Sequence, residues 1–118
     1  MLRSAFETAR SGLAAEALRF EVAARNIANA STDGYVPQRV EQSSVGSGGT
    51  VRADVRTVTN SVSGSPPRVD LLREATTLVQ AKAAYEANLA VISAVDDMTQ
   101  SLLDAIDPDH RGEDDRDR

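Results

Sequence analysis

Residues 70–106 read DLLREATTLVQAKAAYEANLAVISAVDDMTQSLLDAI, and the spacing of their apolar positions decides the fold. Leu71, Leu78, Tyr85, Ile92, Thr99 and Ile106 recur every seven residues, with Ala75, Lys82, Leu89, Asp96 and Leu103 between them. That is a heptad-like seam, imperfect because Lys82 and Asp96 are charged. Leu72, Val79 and Leu102 widen the apolar stripe beyond what one partner helix covers. Asp70 is a natural N-cap, and Asp107-Pro108 stops the run. A helix over 70–106 is about 55 Å long.

The same period recurs at the other end of the chain. From Ser4 to about Ala30, Phe6, Ala9, Leu13, Ala17, Phe20, Ala24 and Ile27 step by three or four, one stripe on a helix and no strand. Ser4 and Glu7 predict a capping box, and Glu21 with Arg25 an exposed ion pair one turn apart. This helix is about 40 Å long, shorter than its partner. Alanine-rich faces around Ala14, Ala15, Ala23 and Ala24, and around Ala81, Ala83, Ala84 and Ala87, let helices approach closely.

Between the helices the chemistry changes. Asn29, Ser31, Thr32, Asp33 and Gly34 break the first helix, and Pro37 pushes Val36 toward extended backbone. Val36–Val45 and Val51–Thr59, joined by Gly46-Ser47-Gly48-Gly49, read as a β-hairpin, and Asn60–Pro67 as a linker. The expected fold is mainly α. Two long terminal helices form an antiparallel, coiled-coil-like pair joined by a short β-hairpin or loop (31–69), all within one domain over 1–106. Residues 107–118, rich in Asp and Arg, read as a disordered acidic tail.

Composition narrows the function. The net charge of −5 offers no attraction for phosphate backbones, and with 3% aromatic residues there is no stacking surface for nucleic acid. The absence of cysteine excludes disulfides and thiolate sites. His110 is the single histidine, so no histidine cluster serves a metal or a triad. Asp96 and Asp97 are adjacent on a helix and face different ways, a poor acid–base dyad. The glycine-rich turn lacks the lysine of a phosphate cradle. No apolar run reaches the roughly 20 residues of a membrane span, and Arg3, Glu7, Arg10, Glu16 and Arg19 interrupt any secretory signal. The reading is a non-enzymatic chain with no cofactor, no metal and no small-molecule substrate.

Two segments carry a resemblance. Asn26-Ile27-Ala28-Asn29-Ala30 followed by Gly34-Tyr35 is similar to the NIANxxTxGY pattern at the N-terminus of the flagellar rod, hook and hook-associated protein family. Ala84-Tyr85-Glu86-Ala87-Asn88 and the later Met98 resemble that family's C-terminal signature. The short proximal rod proteins are the nearest in kind, although Asp33 stands where proline is common and the middle segment is cut down. The resemblance implies terminal helices that pack inside a tubular assembly, partners among rod subunits of the same and related kinds, and a site in the periplasmic basal-body rod. It also implies export through the flagellar type III apparatus without a cleavable signal.

The residues expected to carry assembly are Leu13, Phe20, Ile27, Leu78, Tyr85, Leu89 and Ile92. Asn26, Asn29, Gly34 and Tyr35 form the motif turn, in which the asparagines bond backbone groups left open at the helix end while the Tyr35 ring packs and its hydroxyl stays wet. Asn88 and Met98 mark the second motif. A second reading stands beside the structural one: a soluble regulatory or chaperone-like module that keeps the axial signature and never polymerises.

Overall fold

The computed structural model describes residues 1–59 and 65–107. Four elements follow in order: α1 (Leu2–Ala28), β1 (Gln38–Val45), β2 (Thr50–Thr57) and α2 (Leu71–Ile106). The molecule is mainly helical and elongated, with extents of 77 × 38 × 17 Å. The tail expected to be disordered lies outside the described residues from 108 onward, as does part of the expected linker, 60–64.

The helices run antiparallel and pack against each other. The start of α1 (Leu2, Phe6) shares a groove with Leu89–Thr99, and its later part (Arg19–Ala23) lies beside Arg73–Gln80. Asp70 caps α2 as its residue type predicts, its carboxylate accepting from the Arg73 amide at 3.1 Å. The expected capping box on α1 does not form. The helix begins at Leu2, two residues early, and the Ser4 hydroxyl donates to the Met1 carbonyl instead, 2.7 Å away. The Glu21–Arg25 ion pair is present on the exposed face.

The hairpin pairs β1 and β2 antiparallel, with Val45 opposite Thr50 and Gln38 opposite Thr57. Gly46 and Gly49 take φ of 67° and 72° in the turn, the left-handed region that a side chain disfavours. A two-stranded hairpin is marginal in water by itself. This one lies along α1, which supplies the support described below.

The core is thin. Its buried apolar residues are Ala9, Ala15, Val22, Ala23 and Ala81, mostly single methyl groups that remove little apolar area from water. Along the whole of α2, Ala81 alone is buried.

Candidate functional site

The helix interface is built mainly from small side chains, and of the large heptad residues only Leu78 and Ile92 enter it. On α1 the buried positions are Ala9, Gly12, Ala15, Glu16, Val22, Ala23 and Asn26. On α2 the residues with reduced exposure are Glu74, Thr77, Leu78, Ala81, Ala84, Asn88, Ile92 and Val95, spaced by three and four apart from the adjacent pair Thr77 and Leu78. The interposed heptad positions Ala75, Lys82, Leu89, Asp96 and Leu103 are all exposed. The contact stripe is therefore rotated toward the alanines. Small residues allow the backbones to come close, and the closest approach excludes the bulkier stripe.

That approach is tightest at Gly12. A Cβ there would sit 2.7 Å from Asn88 Oδ1 and 2.9 Å from its Cγ. The Asn88 amide is held by a bond to the Ala84 carbonyl at 2.9 Å, so the side chain occupies the notch in a fixed pose.

The large apolar side chains sit beside this seam, half in water. Phe6, Leu13, Phe20 and Ile27 share one flank of α1, and Leu78, Tyr85 and Leu89 the adjoining flank of α2, by helical period. Leu13, Ile27, Leu78 and Ile92 are half-buried. Phe6, Phe20, Tyr85 and Leu89 are exposed, Leu89 to 50%. One groove joins Phe6 to Leu89 and Ile92 at the α1 N-terminal end of the pair. Of the residues expected to carry assembly, Leu89 and Ile92 border this groove, and Leu13, Phe20 and Ile27 follow Phe6 on the same flank of α1 by helical period. Met98, at 54% exposure, lies outside these flanks.

On its other side α1 holds the hairpin through a row of polar side chains. Thr8 Oγ1 donates to the Gly48 carbonyl at 2.9 Å, and Ser11 Oγ accepts from the Val51 amide at 2.9 Å. Glu16 accepts from Gln42 Nε2 at 3.0 Å through one oxygen and from Arg19 at 2.9 Å through the other. At the end of the row stands Asn26, 1% exposed. Its Nδ2 donates to the Gln38 carbonyl at 2.7 Å, while its Oδ1 accepts from the Gln38 amide at 3.0 Å and the Tyr35 hydroxyl at 2.8 Å.

This network gives the motif turn its geometry. Asn26 was expected to bond the open backbone groups of its own helix end, but it pairs with Gln38 of β1 as a strand would. The Tyr35 hydroxyl is bonded rather than wet, for the same reason. Asn29 does behave as expected, its amide donating to the Arg25 carbonyl at 2.9 Å. Gly34 takes φ 74° and swings the chain back so that Tyr35 can reach Asn26. Gly12, Ser11, Glu16, Gln38 and Gln42 carry no mark in the sequence reading. A glycine in mid-helix was the one available signal, since it costs helix stability unless a close approach repays it.

Among the described residues no group of acidic, histidine or cysteine side chains is placed to hold a metal ion, and no helix is long and apolar enough to cross a membrane.

Two family models match the chain at the two places where this architecture is built. The model described as flagella basal body rod protein matches residues 6–35, which is α1 with the Asn26–Tyr35 turn. The model described as flagellar basal body rod FlgEFG protein C-terminal matches residues 67–105, which is α2. Together they span more than half of the chain, in the same order. The chain belongs to the flagellar basal-body rod protein family. No curated protein matches it closely enough to serve as a relative. A flagellar rod protein is a structural component of the basal body, in a family that is not enzymatic and whose members assemble with other axial subunits. The exposed apolar strip of this rod protein is the surface on which such assembly has to be argued.

Proposed function

We propose that this chain is a subunit of the rod that crosses the periplasm, and that it passes motor torque to its neighbours through the strip formed by Phe6, Leu13, Phe20, Ile27, Leu78, Tyr85, Leu89 and Ile92. One observation carries the reading. A helix of 36 residues buries a single alanine in the monomer, while Leu71, Leu72, Val79, Tyr85, Leu89, Val91, Met98, Leu102, Leu103 and Ile106 stay exposed. At roughly 25 cal/mol per Å² of apolar surface, covering these side chains, Tyr85 and Leu89 of the strip among them, supplies the drive for association. So much exposed apolar surface on one helix calls for a partner to cover it.

Stiffness then comes from repetition. Each contact is shallow, but every subunit makes it with several neighbours, and torsion is shared among them. The thin alanine core also suits passage through the flagellar type III export apparatus, because a weakly cored chain is easily kept unfolded. The test is recovery of the chain in purified hook–basal bodies by mass spectrometry. Recovery only from the cytoplasm supports the non-polymerising regulatory or chaperone-like module instead.

A further inference from the structure

α1 crosses the hairpin on a diagonal. It holds the Val51 amide at the turn end, through Ser11, and both backbone groups of Gln38 at the base, through Asn26. In an antiparallel pair, residues that bond across the ladder alternate with residues whose N–H and C=O point out of it. Val51 and Gln38 point out, whereas Val58, whose amide donates to the Pro37 carbonyl at 2.9 Å, points in. The register then sets the rest: Ala53, Val55 and Thr57 turn both backbone groups out along the edge of β2. Among the described residues no hydrogen bond reaches those outward groups. The edge of β1 is occupied instead, with Gln38 held by Asn26 and Val40 bordering the cleft shared with Arg73 and Thr77.

Charge on the hairpin is arranged across the strands. Gln42 reaches Glu16 on α1, so by alternation Arg39, Glu41, Arg52, Asp54 and Arg56 lie on the face turned away from α1. There Arg39 stands directly opposite Arg56, and Glu41 directly opposite Asp54. Like charges in that position destabilise a pair of strands. The ion pairs Arg56–Glu41 at 2.6 Å and Arg52–Asp54 at 3.2 Å offset this in part, but all four side chains are largely in water, where such pairs contribute little.

We infer that β2 of one copy pairs edge to edge, antiparallel, with β2 of a second copy of this chain, with Val55 opposite Val55. Ala53 and Thr57 then exchange their free groups with Thr57 and Ala53 of the second copy, and no group already bonded is called on. On the outer face Asp54 lies opposite Arg56 of the copy, so the acidic pair Glu41 and Asp54 of each chain borders the basic pair Arg56 and Arg39 of the other. The neighbouring registers fail. Ala53 opposite Val55 sets Asp54 against Asp54, Val55 opposite Thr57 sets Arg56 against Arg56, and Ala53 opposite Ala53 calls on the Val51 amide that Ser11 holds. The contact is isologous and stops at two copies. It goes beyond the rod reading, since the pair is a state of the free chain rather than a link in a polymer. It extends a marginal two-stranded ribbon to four strands and closes an edge that otherwise templates aggregation.

Sedimentation of the full-length chain tests it, and the parent is expected to form a dimer. Val55→Pro removes the central outward amide, which no bond within the hairpin uses, so circular dichroism and protection of the β1 amides match the parent. Its dimer is weaker by about tenfold or more. Asp54→Arg and Arg56→Asp each oppose like charges in their own dimer and stay monomeric, with helical content unchanged. Mixed, they form a heterodimer, because every opposed pair across the junction is then of opposite sign. A parent chain that stays monomeric at high concentration overturns the inference, as does Val55→Pro or Asp54→Arg associating like the parent. Leu89→Asp separates this contact from the strip on the helices and is expected to keep the dimer. Loss of the dimer in Leu89→Asp but not in Val55→Pro assigns association to the strip and overturns the edge pairing, whereas absence of the chain from hook–basal bodies bears on the rod reading alone.

Discussion

Asn88 fills the notch that Gly12 leaves in the opposite helix, at a distance that a single added methyl group would violate. The pair fixes the register of two helices whose remaining contacts are alanines with little shape of their own. Replacing Gly12 by Leu is expected to destabilise the monomer by about 1–3 kcal/mol through overpacking. Gly12→Ala combined with Asn88→Ala is expected to be more stable than the sum of the single changes by about 1 kcal/mol, since shortening Asn88 removes the clash and the added methyl fills the space it leaves. Urea unfolding of the four proteins measures the coupling.

Asn26 ties β1 to α1 with two hydrogen bonds to Gln38 and takes a third from Tyr35 just before it, in a buried setting. Asn26→Leu leaves the Gln38 amide and carbonyl and the Tyr35 hydroxyl without it, at about 1–3 kcal/mol for a stranded buried group. Tyr35→Phe removes one bond and costs about 1 kcal/mol. Hydrogen exchange distinguishes the effect from general unfolding. The amides of β1 and β2 lose protection first, while those of α2 keep theirs.

Ser11 tests the other end of the same attachment. Its hydroxyl accepts from the Val51 amide and donates to the Thr8 carbonyl at 2.8 Å. Ser11→Ala is expected to cost about 0.5–1.5 kcal/mol and to raise exchange at the turn, residues 46–49, more than at Gln38, which Asn26 still holds.

The architecture was open to sequence reading because long-period signals are local. Helical spacing in residues 4–30 and 70–106 gave both helices to within two residues, and Gly46 to Gly49 gave the turn between strands. Which face of each helix turns inward was legible only in part, through the alanine faces at Ala15, Ala23, Ala81 and Ala84. The apolar period pointed to Leu13, Phe20 and Leu89, but the backbones meet where side chains are smallest, at Gly12, Ala81 and Ala84. In an ordinary core the largest apolar residues are buried. Here they are held out on the surface, which fits a chain whose burial is completed by others. The motif asparagines were legible as important and not as what they do. Asn26 reaches Gln38, twelve positions away, and no local rule specifies that pairing.

Ala81 and Leu89 separate folding from assembly. Ala81 is wholly buried, so Ala81→Asp places a charge among methyl groups and is expected to unfold the helix pair, seen as loss of helical circular dichroism. Leu89→Asp, at a half-exposed position, is expected to change monomer stability by no more than about 0.5 kcal/mol.

The account turns on whether the strip that the monomer leaves in water is covered by neighbouring subunits. Quantitative mass spectrometry of hook–basal bodies, purified from cells making either the parent chain or Leu89→Asp at equal level, measures this directly. The expected result is loss of the variant from the particles and loss of swimming, with its helical content unchanged. Full incorporation of Leu89→Asp with normal swimming would contradict the account, because a charged residue at the centre of the strip would then be tolerated where burial is required.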